Sequence, residues 1–242
     1  MKKNIVFIHG FRGSSLGLEK VANYFDKKNY NVYVPDIPPA GDESLPEYSP
    51  RLYARFLARY IKDNEIEKPI LVGHSMGSIV AAAMAERYPD LIDKKIVFMS
   101  PISAHPSLFF KMLTPLSVLL PNKVIGYITT KFLFVPKNKN LFKETLLLTY
   151  HCGANYCRRI DVFKAAKFST NYAIPDFTFE KNALIIAGEK DRLIPRKRTD
   201  ILASDLGTKA IYLEDAGHLI NYEVPEKVAK QIKKFLKAER QK

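Results

Sequence analysis

Three residues far apart in the chain carry groups that can do chemistry together. Ser75 stands in "LVGHSMGS", Asp191 in "AGEKDRLIP" and His218 in "LEDAGHLINYEVPE". Each lies just after a short apolar run that reads as a strand, and reactive groups in open α/β sheets gather at the carboxyl ends of strands. A hydroxyl, a carboxylate and an imidazole are the types from which a nucleophile, its base and the group that orients the base are built. Each has a bland rival. Ser75 could be a passive turn residue where a strand becomes a helix, and Asp215, three residues before His218, competes with Asp191.

The elements that would position these groups follow from the hydrophobic pattern. "NIVFIH" (4–9), "YNVYVP" (30–35), "PILVG" (69–73), "KKIVFMS" (94–100), "NALIIAGEKD" (182–191) and "KAIYLEDAGH" (209–218) are short apolar runs. Between them, "LGLEKVANYFDKK" (16–28), "SPRLYARFLARYIKDN" (49–64) and residues 76–88 read as helices, with Ser49 as N-cap and Pro50 at the first helical position. A last amphipathic helix follows Pro225, with Val228, Ile232, Phe235 and Leu236 on one face. Apolar strands alternating with helices predict a mostly parallel sheet covered on both faces. The rhythm stops at Pro101. Residues 101–176 hold eleven Phe or Tyr and a basic excess, with helix-like stretches at "SLFFKMLTPLSVLLP" and "KETLLLTYHC". The expected organisation is a core of residues 1–100 and 177–242 interrupted by an insertion at 101–176.

Gly73-His74-Ser75-Met76-Gly77 has the G-x-S-x-G spacing of a nucleophile elbow. A serine at the tip of so sharp a turn requires small residues two positions away on either side, because side chains there would crowd against each other. With "FIHGFRGSS", "LVGHSMGS", "AGEKDRLIP" and "LEDAGHLINYEVPE" each in its expected place, the chain resembles a single-domain α/β-hydrolase of the esterase, lipase and C–C hydrolase kind over roughly residues 4–100 and 180–238. The resemblance implies Ser75 as nucleophile, His218 as the base that later protonates the leaving group, and Asp191 as the residue that orients the imidazole. It places the oxyanion between the backbone N–H groups of Phe11 and Met76. It gives the 101–176 insertion the place of a helical cap, and His9 and His74 structural tasks, packing in the case of His74. His105 and His151 are expected to be exposed or to line substrate. Two departures stand out. The chain begins almost at the strand carrying "HG", so the usual N-terminal hairpin is not expected, and the loop after the second strand reads "DIPPAGDES" in place of D-x-P-G-x-G-x-S.

Composition narrows the classes. Hydrophobic residues are 47% of 242, which excludes a disordered chain, and no apolar run has the length of a membrane span. The apolar run behind Met1-Lys2-Lys3 is too short for a signal peptide, which leads to the expectation of a cytoplasmic protein. Cys152 and Cys157, five apart, fit neither a redox pair nor a zinc-ligand set, so no metal and no cofactor are expected. The net charge is +13, and residues 101–176 hold ten Lys or Arg against three Asp or Glu. No nucleic-acid motif accompanies this charge; a solvated basic surface is the plain reading, and weak contact with an anionic membrane surface the sharper one.

The serine at the elbow excludes relatives that need an aspartate there, such as haloalkane dehalogenases and epoxide hydrolases. The resemblance then implies a small-molecule carboxylic ester as substrate, with a medium to long acyl chain under an apolar cap. Two alternatives stay open: a C–C bond hydrolase of a keto-dienoate, and a non-enzymatic ligand receptor on the same fold. Leu219 and Ile220 after His218 speak mildly against the first.

Overall fold

Along the first strand, Ile5 and Phe7 belong to one hydrophobic cluster and Val6 and Ile8 to another, and all four are fully buried. Side chains alternate along a strand. A strand covered on both faces therefore reads as a continuous apolar run. A computed structural model describes residues 2–41, 43–120, 124, 127, 131, 133, 135 and 159–238, with the side chains of Phe109 and Phe110 excepted.

In chain order the elements are β1 (Lys3–Ile8), α1 (Ser15–Ala22), β2 (Tyr30–Tyr33), α2 (Pro50–Asp63), β3 (Ile70–His74), α3 (Met76–Arg87), β4 (Lys95–Met99), α4 (Leu108–Leu116), α5 (Arg159–Asn171), β5 (Asn182–Gly188), α6 (Arg196–Asp205), β6 (Ala210–Leu213), α7 (Ile220–Glu223) and α8 (Pro225–Lys237). Among the described residues the strands form one six-stranded sheet in the order β2-β1-β3-β4-β5-β6, every neighbouring pair parallel. The expected α/β architecture is present. The chain leaves β1 towards β2 on one side and returns to β3 on the other, and that reversal opens a crevice at the carboxyl ends.

One face of the sheet, with Leu71, Ile96, Phe98 and Ile185, packs under α2 and α3. The other, with Val72, Val97, Met99 and Ile186, packs under α1 and α8. Helix α3 is buried at every position from Met76 to Ala85. Its alanines let the helix lie close to β3, and a helix covered all round shows no amphipathic period. The negative, C-terminal end of α8 is met by Lys3 and Lys95, whose ammonium groups donate to the carbonyls of Leu236 and, at 3.0 Å, Phe235. This uses part of the basic excess to cap a helix.

Helix α6 was not expected. Its first turn is Arg196-Lys197-Arg198, and only Thr199, Leu202 and Ala203 are buried, too narrow an apolar stripe to register as a period. Short α7 was likewise hidden behind His218.

The segment between β4 and β5 divides. Helix α5 buries Ala165 and Phe168 in the main core, with the Phe168 ring 4.5 Å from that of Tyr53. Helix α4 leaves Leu108, Met112 and Leu116 exposed along one face, followed by Leu119. The helix expected at 143–152, His151, Cys152, Cys157, Phe132, Phe134, Leu146 and Leu147 lie outside the described residues. Among the described residues no helix is long and apolar enough to cross a membrane.

Candidate active site

Ser75 joins β3 to α3 with φ 51° and ψ −119°, a conformation that costs a non-glycine residue about 1–3 kcal/mol. Neighbouring groups hold it there. Its N–H donates to the Met99 carbonyl at 3.0 Å, and its own carbonyl accepts from the Ser78 hydroxyl at 2.5 Å and the Ser78 N–H at 2.9 Å. The Ser78 hydroxyl in turn accepts the Ile102 N–H at 3.2 Å, which ties the turn to the chain leaving β4.

The two elbow glycines are needed for a reason different from the expected one. A Cβ on Gly73 would land on the Gly77 carbonyl and the Ser78 backbone, and a Cβ on Gly77 on the Ile8 and His9 carbonyls. The obstacles are backbone atoms of α3 and β1; the two positions do not crowd each other through side chains.

His218 follows β6 and is 2% exposed. Its Nε2 lies 2.9 Å from Ser75 Oγ, and its Nδ1 lies 2.8 Å from Asp191 Oδ2. A carboxylate accepts, so Nδ1 carries the proton and Nε2 presents its lone pair to the serine hydroxyl. Asp191, just beyond β5, uses its other oxygen to accept the N–H groups of Leu193 at 2.8 Å and Ile194 at 3.0 Å. Burial alone would raise its carboxyl, but the charge and hydrogen bond of His218 and these two N–H donors bring it below the usual carboxylate range. Its rival Asp215 points elsewhere and pairs with Lys190 at 2.6 Å.

Two further histidines act through backbone. His9 Nε2 accepts the Ile37 N–H at 2.9 Å, so Nδ1–H donates to the Gly10 carbonyl at 2.9 Å. Burial holds this imidazole below its ordinary value, and the ring fastens the His9-Gly10-Phe11 loop to the chain after β2. His74 does more than the expected packing. Its Nε2–H reaches the carbonyl of His218 at 3.2 Å, with the rings 5.6 Å apart. Burial first, then the neighbouring His218, pushes its pKa down to about 3, so it is neutral at working pH.

The Phe11 loop passes directly beside the serine: a Cβ on Gly10 would lie 3.0 Å from that of Ser75. Met76 opens α3, where the first N–H groups have no partner within the helix. His105 is exposed and bonds Asp176 at 2.9 Å. Among the described residues no three His, Cys, Asp or Glu side chains are placed to hold a metal ion.

The loop carrying His218 has partners that the sequence did not single out. The His218 N–H donates to the Leu133 carbonyl at 2.9 Å, and the Glu223 carboxylate accepts the Gly217 N–H at 3.0 Å. Ser78, His74 and Glu223 lie three residues after Ser75, one before it and five after His218. The signal was their nearness to motif residues, but a backbone-directed side chain has no spacing of its own.

Comparison with known proteins agrees with this architecture. The sequence pattern of the "Alpha/beta hydrolase family" matches residues 5–231. An uncharacterized hydrolase, YugF, of Bacillus subtilis is 27% identical, over 98% of this chain and 90% of its own. Among solved structures, a thermophilic esterase from Thermogutta terrifontis superposes with a TM-score of 0.82 at 20% identity, over 98% of this chain and 90% of that one. The enol-lactonase of Burkholderia xenovorans LB400 gives 0.84 at 16% identity, over 98% and 92%. A parallel sheet with the Ser75 elbow at its centre, and a family pattern running almost from end to end, make this chain a member of the alpha/beta hydrolase family.

Proposed function

We propose that the protein is a serine hydrolase of carboxylic esters. The observation that carries this reading is the unbroken chain from Ser75 Oγ to His218 Nε2 and from His218 Nδ1 to Asp191, built on the strained turn at the head of α3. In this reading His218 takes the Ser75 proton as the oxygen attacks the ester carbonyl. The N–H groups of Phe11 and Met76 hold the oxyanion, with the positive end of α3 behind them. The imidazolium then protonates the leaving alcohol, and water, deprotonated by His218, releases the acid from Ser75. Asp191 keeps Nδ1 protonated throughout and stabilises the imidazolium.

Relatives with solved structures named as an esterase and an enol-lactonase support an ester-type substrate. The exposed apolar face of α4 supports a medium to long acyl chain. In a chain of net charge +13 the same face supports weak contact with an anionic lipid surface. A panel of p-nitrophenyl esters of increasing acyl length, with Ser75→Ala as the blank, tests the reading. Serine-dependent turnover that rises with chain length is expected; turnover unaffected by Ser75→Ala overturns the mechanism, and a sharp acetate preference overturns the acyl-length assignment.

A further inference from the structure

Every polar group of His218 is engaged. Its ring nitrogens meet Ser75 and Asp191, its carbonyl accepts from His74, and its N–H donates to Leu133. The residues on either side of it converge on one further side chain. Glu223, the last residue of α7, places both carboxylate oxygens 3.0 Å from the Gly217 nitrogen. The Leu219 N–H adds its pull on the carboxylate charge. From the insertion, the Val135 N–H donates to Oε2 at 3.1 Å.

We infer that Glu223 is a positioning residue: its carboxylate fixes the peptide groups flanking His218 and fastens Val135 of the insertion to the same loop. The assignment rests on His218 being the base proposed above. The chemistry suits a carboxylate in particular. Ionised, it is acceptor-only, with two oxygens to share among the N–H groups of Gly217, Leu219 and Val135. An amide at this position has one acceptor oxygen and turns an NH2 group against the remaining donors. Two residues of the insertion thus bind the base loop, Leu133 through its carbonyl and Val135 through Glu223, so the insertion takes part in orienting the imidazole.

Burial pushes the Glu223 carboxyl up to about 7 against the pull of its N–H donors, and the Asp191 charge raises it further. The titratable groups around it are Asp191 from the loop after β5 and His218 on its own loop. Lys20 of α1 stands over the adjoining Tyr222 ring, and Glu226 lies in the first turn of α8. Protonation near neutrality removes acceptor capacity from this carboxyl.

The test compares wild type with Glu223→Gln. By amide hydrogen exchange, Gly217, Leu219 and Val135 are expected to exchange faster in the variant while β3 and β5 keep their protection. Turnover is expected to fall about 10- to 100-fold, the size of a small misplacement of a catalytic group, with KM near wild type. On the acid side, log kcat of the wild type should fall more steeply than a single proton allows, and that of the variant with one proton only. Unchanged exchange at the three amides, an unaltered acid limb, or uniformly faster exchange with a matching drop in thermal midpoint would overturn the inference. Should the variant fail to fold, Glu223→Asp decides: the shorter carboxylate withdraws from Gly217 and Val135, and their amides must exchange faster while β3 and β5 keep their protection. Exchange needs no turnover, so a wild type that hydrolyses no ester would sink the proposed function while leaving the place of Glu223 to be settled separately.

Discussion

His74 Nε2 lies 3.2 Å from the carbonyl oxygen of His218, so the residue before the elbow serine holds the backbone of the residue that faces it. A carbonyl can only accept, which fixes the proton of His74 on Nε2. His74→Phe keeps a ring and removes the donor. Its kcat is expected to drop about 10- to 100-fold with KM little changed, and His74→Gln, which restores an N–H donor, should recover most of it. Steady-state kinetics on a chromogenic ester check this; equal activity in both variants would show that the ring only packs.

Asp191 has its carboxyl held below its ordinary value, so its sign is clear. It contributes stability that is present above the unfolded pKa of about 3.9 and is lost as pH falls through the lower folded value. Asp191→Asn should therefore lower the denaturant midpoint at neutral pH, with the gap to wild type closing under acid conditions. Turnover should fall about 10³- to 10⁴-fold through the wrong tautomer of His218.

For Glu223 the sign is reversed. Its carboxyl is pushed up to about 7, so the folded state binds this proton more tightly and stability drains away as pH rises from about 4.3 towards 7. Glu223→Gln removes that titration. Denaturant unfolding over this window should show the wild type losing stability relative to the variant as pH increases.

Gly77 faces the carbonyls of Ile8 and His9, backbone of a central strand that cannot yield. Gly77→Ala is expected to cost about 1–3 kcal/mol or more by overpacking and to abolish turnover, because the turn carrying Ser75 must shift. Urea unfolding and ester hydrolysis together check both effects.

Phe168 and Met112 sit on the two described helices between β4 and β5 but differ in burial, 1% against 63% exposed. Phe168→Ala should cost about 3–5 kcal/mol, and Met112→Ala should remain within about 0.5 kcal/mol of wild type. Comparable losses in the two would contradict the assignment of α5 to the main core.

The strands were legible because Ile5–Ile8, Leu71, Val72 and Ile96–Met99 are buried on both faces of a parallel sheet and read as apolar runs. The relation of Ser75, Asp191 and His218 was legible because each must follow a strand, and strand ends can be counted. Helix α6 escaped because three buried side chains set no period. Glu223 and the hydrogen bond of His74, whose expected task was packing, escaped because both side chains recognise peptide groups, and any residue carries those. The steric task of Gly73 and Gly77 was anticipated, but its target, the backbone of α3 and β1, depends on how closely those elements approach.

Covalent labelling tests the central claim most directly. With a fluorophosphonate probe and mass spectrometry of the digested protein, the account predicts one adduct, on Ser75. The adduct should be absent in Ser75→Ala and form orders of magnitude more slowly in His218→Ala, by roughly 10³ to 10⁶ as in other triads. Labelling at another residue, or labelling of Ser75 at the same rate without His218, would contradict it.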